Sequence, residues 1–264
     1  MIQLFLIAIF FILGSALFIY RYTGKKRLLK FDLVQFIYAF IIAPLVFVWI
    51  KTFVFYLVQA EPHRLSQSEL FAIDTGVSLL GLFVYSFVII HFLTKNFEIK
   101  RYRDPLYDIF QLSEVIHLWI SHLGVYFGLM LLLSLVSILN IFFPLQTELS
   151  RWIFILFLPL GFLLGLVFFI AIWLSNFTKS RFIKINKLMF AFFLFVLLSA
   201  YFLLEVKFES AYSAYWFFLS SCFGTNLLSI SVERSQKVMK KLEKWHHKYE
   251  DGWSGFMNRF QHPS

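Results

Sequence analysis

The chain has 264 residues, 60% of them hydrophobic and only 15% charged, with mean hydropathy +0.76 and a formal charge of +9. A soluble domain is about half apolar and about a quarter charged. Here the apolar excess comes in long uncharged blocks, which excludes an ordinary soluble fold. The blocks do not alternate apolar and polar residues in ten-residue segments, so they do not read as barrel strands.

In chain order the blocks predict seven transmembrane helices at about 2–20, 33–59, 71–94, 115–143, 152–176, 187–205 and 213–232. Each is long enough to cross a ~30 Å core at 1.5 Å per residue. Together they form a transmembrane domain, 1–232, followed by a basic tail, 233–264. The expected fold class is an all-α integral membrane protein, a seven-transmembrane-helix bundle. The seventh span is the least apolar, because Ser220, Ser221, Thr225, Asn226, Ser229 and Ser231 interrupt it.

Topology follows from the basic residues. Twenty of the 24 fall in the first, third and fifth links and in the tail. Only Arg64, Arg151 and Lys207 fall on the other side, and Lys51 lies within a span. Positive charge stays cytoplasmic, so the N-terminus is expected outside and the C-terminus inside. This alternation requires the seventh span; without it a strongly basic tail would be stranded outside. The first span reads as an uncleaved anchor, since its basic cluster follows the apolar run rather than preceding it. The expected location is a membrane, by default the bacterial cytoplasmic membrane.

The links are too short to fold as domains, because cores below about 40 residues rarely stand alone. A fused nucleotide-binding, kinase or sensor domain is thereby excluded. The basic residues flank apolar spans, which points to anionic headgroups at the cytoplasmic face and argues against nucleic acid as a partner. Cys222 is the single cysteine, so neither an internal disulfide nor a cysteine metal cluster can form within one chain.

Within the spans, ionisable residues are the functional leads, because a charge in hydrocarbon is costly. Lys51 in the second span and Asp74 in the third belong to one hairpin and are expected to form an intramembrane ion pair. His91 ends the third span; Glu114, His117 and His122 begin the fourth. Glu114-x-x-His117 has the i, i+3 spacing of metal-binding helices. With His91 it makes a candidate site for a divalent metal: His91, Glu114 and His117. At 100° per residue His122 points about 140° away from His117, so that pair is not expected to chelate. Interfacial histidines also serve as plain hydrogen-bonded members of a bundle.

Gly124-x-x-x-Gly128 and Gly161-x-x-x-Gly165 allow close helix approach, and Pro44 and Pro159 are expected to kink their helices. Ser221, Thr225, Asn226 and Ser229 form a polar stripe on the seventh span, expected to pack against protein or to line a cavity. The link 95–114 has the makings of a short interfacial helix. In the tail, Val238, Leu242, Trp245 and Tyr249 share one face, with Lys237, Lys240, Lys241, Lys244 and Lys248 around it. This predicts a C-terminal amphipathic interfacial helix that anchors to the membrane surface through Lys237, Lys241, Lys244, Trp245 and Lys248, or docks a protein partner.

A seven-helix bundle with its N-terminus outside is also the topology of receptors and rhodopsins. The seventh span, however, has no lysine for a retinal Schiff base, and the third lacks the receptors' acidic–arginine pair. Three functions therefore stand in order: a scaffold or complex subunit acting through partners; a small-solute or ion transporter or channel; and a metal-dependent intramembrane or interfacial enzyme using His91, Glu114 and His117. An enzyme is the less expected outcome.

Overall fold

The structure, a computed structural model, describes residues 2–23, 27–28, 31–59, 65–98, 116–145, 149–175, 180–204 and 210–232. Among these the chain is all-helical apart from one two-residue ladder. The elements are α1 (Ile2–Thr23), β1 (Arg27–Leu28), β2 (Phe31–Asp32), α2 (Leu33–Gln59), α3 (Gln67–Glu98), α4 (116–142), α5 (Arg151–Ser175), α6 (Ser180–Leu203) and α7 (Ser210–Val232). The strands β1 and β2 pair antiparallel, Arg27 opposite Asp32 and Leu28 opposite Phe31. The seven-helix count matches the expected one, and the helix limits differ from it by seven residues at most, at the start of α6.

Five helices, α2 to α6, contain stretches long and apolar enough to cross a membrane, and α1 holds a shorter apolar stretch, Gln3–Ala16. Their outer faces carry large exposed apolar side chains, among them Phe71, Leu79, Trp152, Phe195 and Phe202. Water would penalise such a surface at roughly 25 cal/mol per Å², whereas lipid does not.

Two helices are not regular. Residues Tyr38–Ile42 of α2 and Ile116–Ser121 of α4 are π-helical turns, hydrogen-bonded i→i+5. The first ends just before Pro44, whose ring would otherwise meet the carbonyl four residues back; the wider turn makes room for it. The second carries His117 and leads directly into His122.

Packing is set by where glycine removes a side chain. A Cβ at Gly161 would fall on the carbonyl oxygen of Phe218, and one at Gly165 on that of Cys222. Here α5 and α7 touch backbone to backbone, the most intimate pairing in the bundle. Gly124 and Gly128 of α4 instead receive Phe87 and Val84 of α3, and Gly81 of α3 receives Phe47 of α2.

Helix α7 is enclosed by α4, α5 and α6. Residues on every side of it are buried, from Ser213, Ala214, Tyr215 and Trp216 to Thr225, Asn226 and Ile230. A helix wrapped by protein needs no lipid-compatible face, so it can carry the polar residues that make it look weak by hydropathy. Helix α1 is held to the bundle by its own carbonyls: Tyr215 Oη donates to Leu6 O at 2.7 Å, and Trp49 Nε1 donates to Phe5 O at 2.8 Å. At the start of α3, Ser66 and Glu69 form a capping box, with the Ser66 N–H donating to the Glu69 carboxylate at 2.7 Å.

Candidate functional site

The residues expected to act fall into three places. The first is the α2–α3 hairpin, where Lys51 and Asp74 form an ion pair. Lys51 Nζ also donates to Ser78 Oγ at 2.8 Å and to the Asp74 carbonyl at 3.3 Å. The Asp74 side chain is 61% exposed and Lys51 25%, so the pair faces outward, and neither residue lines the cavity described below. Removing Lys51 alone leaves the Asp74 carboxylate without its partner on an exposed face, which a lipid environment would penalise. Lys51→Met is therefore expected to cost about 1–2 kcal/mol, and Lys51→Met/Asp74→Asn less than that. Thermal midpoints in detergent check the order; a double variant less stable than the single one contradicts it.

The second place is the polar stripe of α7. Ser221 Oγ donates to Leu158 O at 3.0 Å, and Asn226 Nδ2 donates to Gly165 O at 3.3 Å. Thr225 is buried against Gly165, and Ser229 is partly buried. The stripe is a seam with α5, and none of its four residues lines the large cavity. The reason is the glycine contact: where backbones meet, no space remains.

The third place is the C-terminal end of α3 and the start of α4. His91, His117 and His122 each offer a ring nitrogen, and these nitrogens all lie within 4.8 Å of one another. The His91 and His117 rings stack at 4.4 Å, and His122 stands edge-on to both, at 4.4 and 5.1 Å. The trio departs from the expected one. Glu114 lies outside the described residues, as do Lys237, Lys241, Lys244, Trp245 and Lys248 of the tail. His122, expected to point away, joins His117. The α-helical angle does not apply, because a π turn carries the chain about once around in five residues and so brings i and i+5 to one side.

Two hydroxyls orient the rings. Thr94 Oγ1 donates to Ile90 O at 2.7 Å, and Ser121 Oγ donates to the His117 carbonyl. A hydroxyl has one proton. Committed to those carbonyls, Thr94 Oγ1 must accept from His117 Nδ1 at 3.1 Å, and Ser121 Oγ from His91 Nδ1 at 3.3 Å. In that arrangement a neutral His91 or His117 ring carries its proton on Nδ1 and its lone pair on Nε2. Metal-ligating histidines are prepared in this way by an acceptor behind the ring. His117 and Ser121 are 3% and 0% exposed, so water does not compete for these bonds. A tetrahedral ion with bonds of ~2.0–2.1 Å holds its nitrogens about 3.4 Å apart. The widest spacing here, up to 4.8 Å, exceeds that by up to about 1.4 Å, so holding an ion requires the rings to draw inward.

The histidines close one end of a cavity of about 460 Å³, walled by α1, α2, α3, α4 and α5. Its lining is mainly apolar, with Gln35, Tyr38, Tyr85 and Tyr126 as further polar members. Tyr38 donates its hydroxyl proton to the Ala16 carbonyl, tying α2 to α1 beside the histidines. Below the cluster, the buried Phe182 of α6 packs its ring edge-to-face on His122 at 5.9 Å.

Three histidines at the head of an apolar cavity can hold a divalent transition-metal ion and leave a coordination position toward the cavity. Thr94, His122 and the cavity itself were not expected from the sequence. The signal for His122 was its i, i+5 spacing from His117, legible only with a π turn; for Thr94 and the cavity there was none. Compared with known proteins, the chain matches no family model, no curated protein and no solved structure.

Proposed function

We propose that this is a seven-span membrane protein, N-terminus outside and C-terminus cytoplasmic, that works as an intramembrane metal-dependent enzyme. His91, His117 and His122 hold the ion near the cytoplasmic face, and the substrate reaches it from the apolar cavity. The observation that carries this reading is the convergence of three ring nitrogens within 4.8 Å at the end of a mainly apolar cavity. A bound divalent ion there would act as a Lewis acid or activate a water molecule.

The other two readings have less behind them. A transport path would need Asp74, Asn226 and His91 to line one connected cavity; His91 borders the cavity described above, and Asp74 and Asn226 do not. A scaffold role leans on sparse intramembrane charge, short links and the basic tail, the last of which lies outside the described residues. In the proposed orientation that tail anchors to anionic headgroups of the cytoplasmic leaflet, or docks a partner, whichever of the three functions holds.

Metal analysis of the full chain purified in mild detergent tests the proposal. The expected result is about one equivalent of a divalent transition metal per chain, falling below about a tenth in His117→Ala. A parent protein with no more metal than that variant ends the enzyme reading. For topology, a reporter fused after residue 232 is expected to read cytoplasmic.

A further inference from the structure

The histidines occupy only one end of the cavity, and the rest of its wall specifies a different part of the occupant. On α3 the wall consists of Gly81, Val84, Tyr85, Val88 and His91, spaced three or four residues apart on one face. From Gly81 to His91 is ten residues, a rise of about 15 Å. That is half of the ~30 Å hydrocarbon core, the depth that one lipid chain occupies in its own leaflet.

The two ends differ in chemistry. Gln35 and Tyr38, at the start of α2, sit at the histidine end. The far end is lined by Ile50, Gly81 and Leu132, and among the described residues no Asp, Glu, Lys or Arg lines the space. A charged solute would find no counter-charge there, and desolvating it would be costly. An apolar chain finds contact along the whole length. The volume, about 460 Å³, lies in the ~300–1,000 Å³ range of single small-molecule sites.

We infer that the cavity takes one long-chain acyl amphiphile, its tail lying between α2, α3 and α4 toward Ile50 and Leu132, and its carbonyl head at His91, His117 and His122. Placing the head rests on the proposed metal centre; binding of the tail does not. The tail is held by the apolar wall alone, and it directs the head to the only cluster of potential ligands at the cavity's end among the described residues.

Photolabelling tests this with the full chain in phosphatidylcholine nanodiscs. The probes are two long-chain fatty acids, one carrying a diazirine at the methyl end and one beside the carboxyl group. The methyl-end probe is expected to label cavity residues near Gly81 and Leu132, and the carboxyl-end probe residues near His91 and His122. Excess unlabelled fatty acid should suppress both at least about fivefold. Leu129→Phe or Val88→Phe, which fill the cavity, should lower cavity labelling about tenfold, while Leu79→Phe on the lipid-facing side of α3 leaves it unchanged. Label confined to lipid-facing residues such as Leu79 and Phe83, without competition, overturns the inference whether or not the filled variants fold. Cavity labelling in a parent protein that purifies without metal sustains the chain site while the metal analysis removes the enzyme reading, so the two failures are distinct.

Discussion

Gly165→Leu is expected to abolish the folded bundle, and Gly165→Ala to lower its stability by about 2–3 kcal/mol. A Cβ at Gly165 would overlap the Cys222 carbonyl oxygen and lie 2.8 Å from Thr225 Cβ. The obstacle is the backbone of α7, which cannot rotate away as a side chain can. Relief requires separating α5 from α7, and that also breaks the bonds from Asn226 to Gly165 O and from Ser221 to Leu158 O. In lipid those freed polar groups have no water to turn to. Gly76 supplies the internal control. Nothing lies within 4 Å of a Cβ placed there, and Gly costs a helix about 0.5–1 kcal/mol relative to Ala. Gly76→Ala is therefore expected to be neutral or stabilising. Thermal midpoints and the monodisperse fraction after size exclusion check both. A Gly165→Leu protein that melts within a degree or two of the parent would show that the α5–α7 seam does not hold the bundle together.

The second large effect concerns His122. Its replacement by alanine is expected to weaken metal binding at least about a hundredfold, because two histidines cannot supply the three ligands of an open site. The comparison with Glu114→Ala decides between the two possible trios. If the ligands are His91, His117 and His122, the Glu114 variant retains most of its affinity; the opposite ranking overturns the geometry described above. Thr94→Val removes the acceptor behind His117 without touching a ligand, and about a 10–100-fold loss is expected. Thr94→Ser keeps the hydroxyl and should restore most of it, a rescue that loss of packing alone would not give. Each ligand must be neutral to bind, so affinity should also fall as pH is lowered from 7.5 to 5.5, with protons taken up as metal leaves. Competition titrations with a chromophoric chelator read all of these. An affinity that is flat in pH would exclude imidazole ligation.

The architecture was legible in the sequence because hydropathy is local. Each apolar block had to be a helix to satisfy its own backbone in the absence of water, whatever its neighbours were. Residues 33–59 were expected as one span and form one helix with those limits, despite the π turn and Pro44 inside it. The Lys51–Asp74 pair was legible for the same reason, since the two residues lie on adjacent strokes of one hairpin. The glycine motifs in the fourth and fifth spans were readable as close-approach positions, though not their partners: Gly161 and Gly165 meet the backbone of α7, whereas Gly124 and Gly128 meet side chains of α3.

What the tertiary structure alone decided is where space is left and which way the chain turns into it. The polar stripe of α7 could be read from the sequence as packing against protein or as lining a cavity, and the structure shows packing. Its residues are used up against α5, because the glycines there draw the two backbones together. The cavity lies instead between α2, α3 and α4, where Phe47, Phe87 and Val84 fill the glycine notches and hold the helices a side chain apart. The histidine trio depends on one π turn, Ile116–Ser121, that no apolar periodicity announces. Alone, residues 116–122 would continue an α-helix with His117 and His122 on different sides. The sequence determined the seven helices among the described residues, though not every limit, because each satisfies itself; partners in space determined the site, since a cavity and a widened turn belong to no single segment.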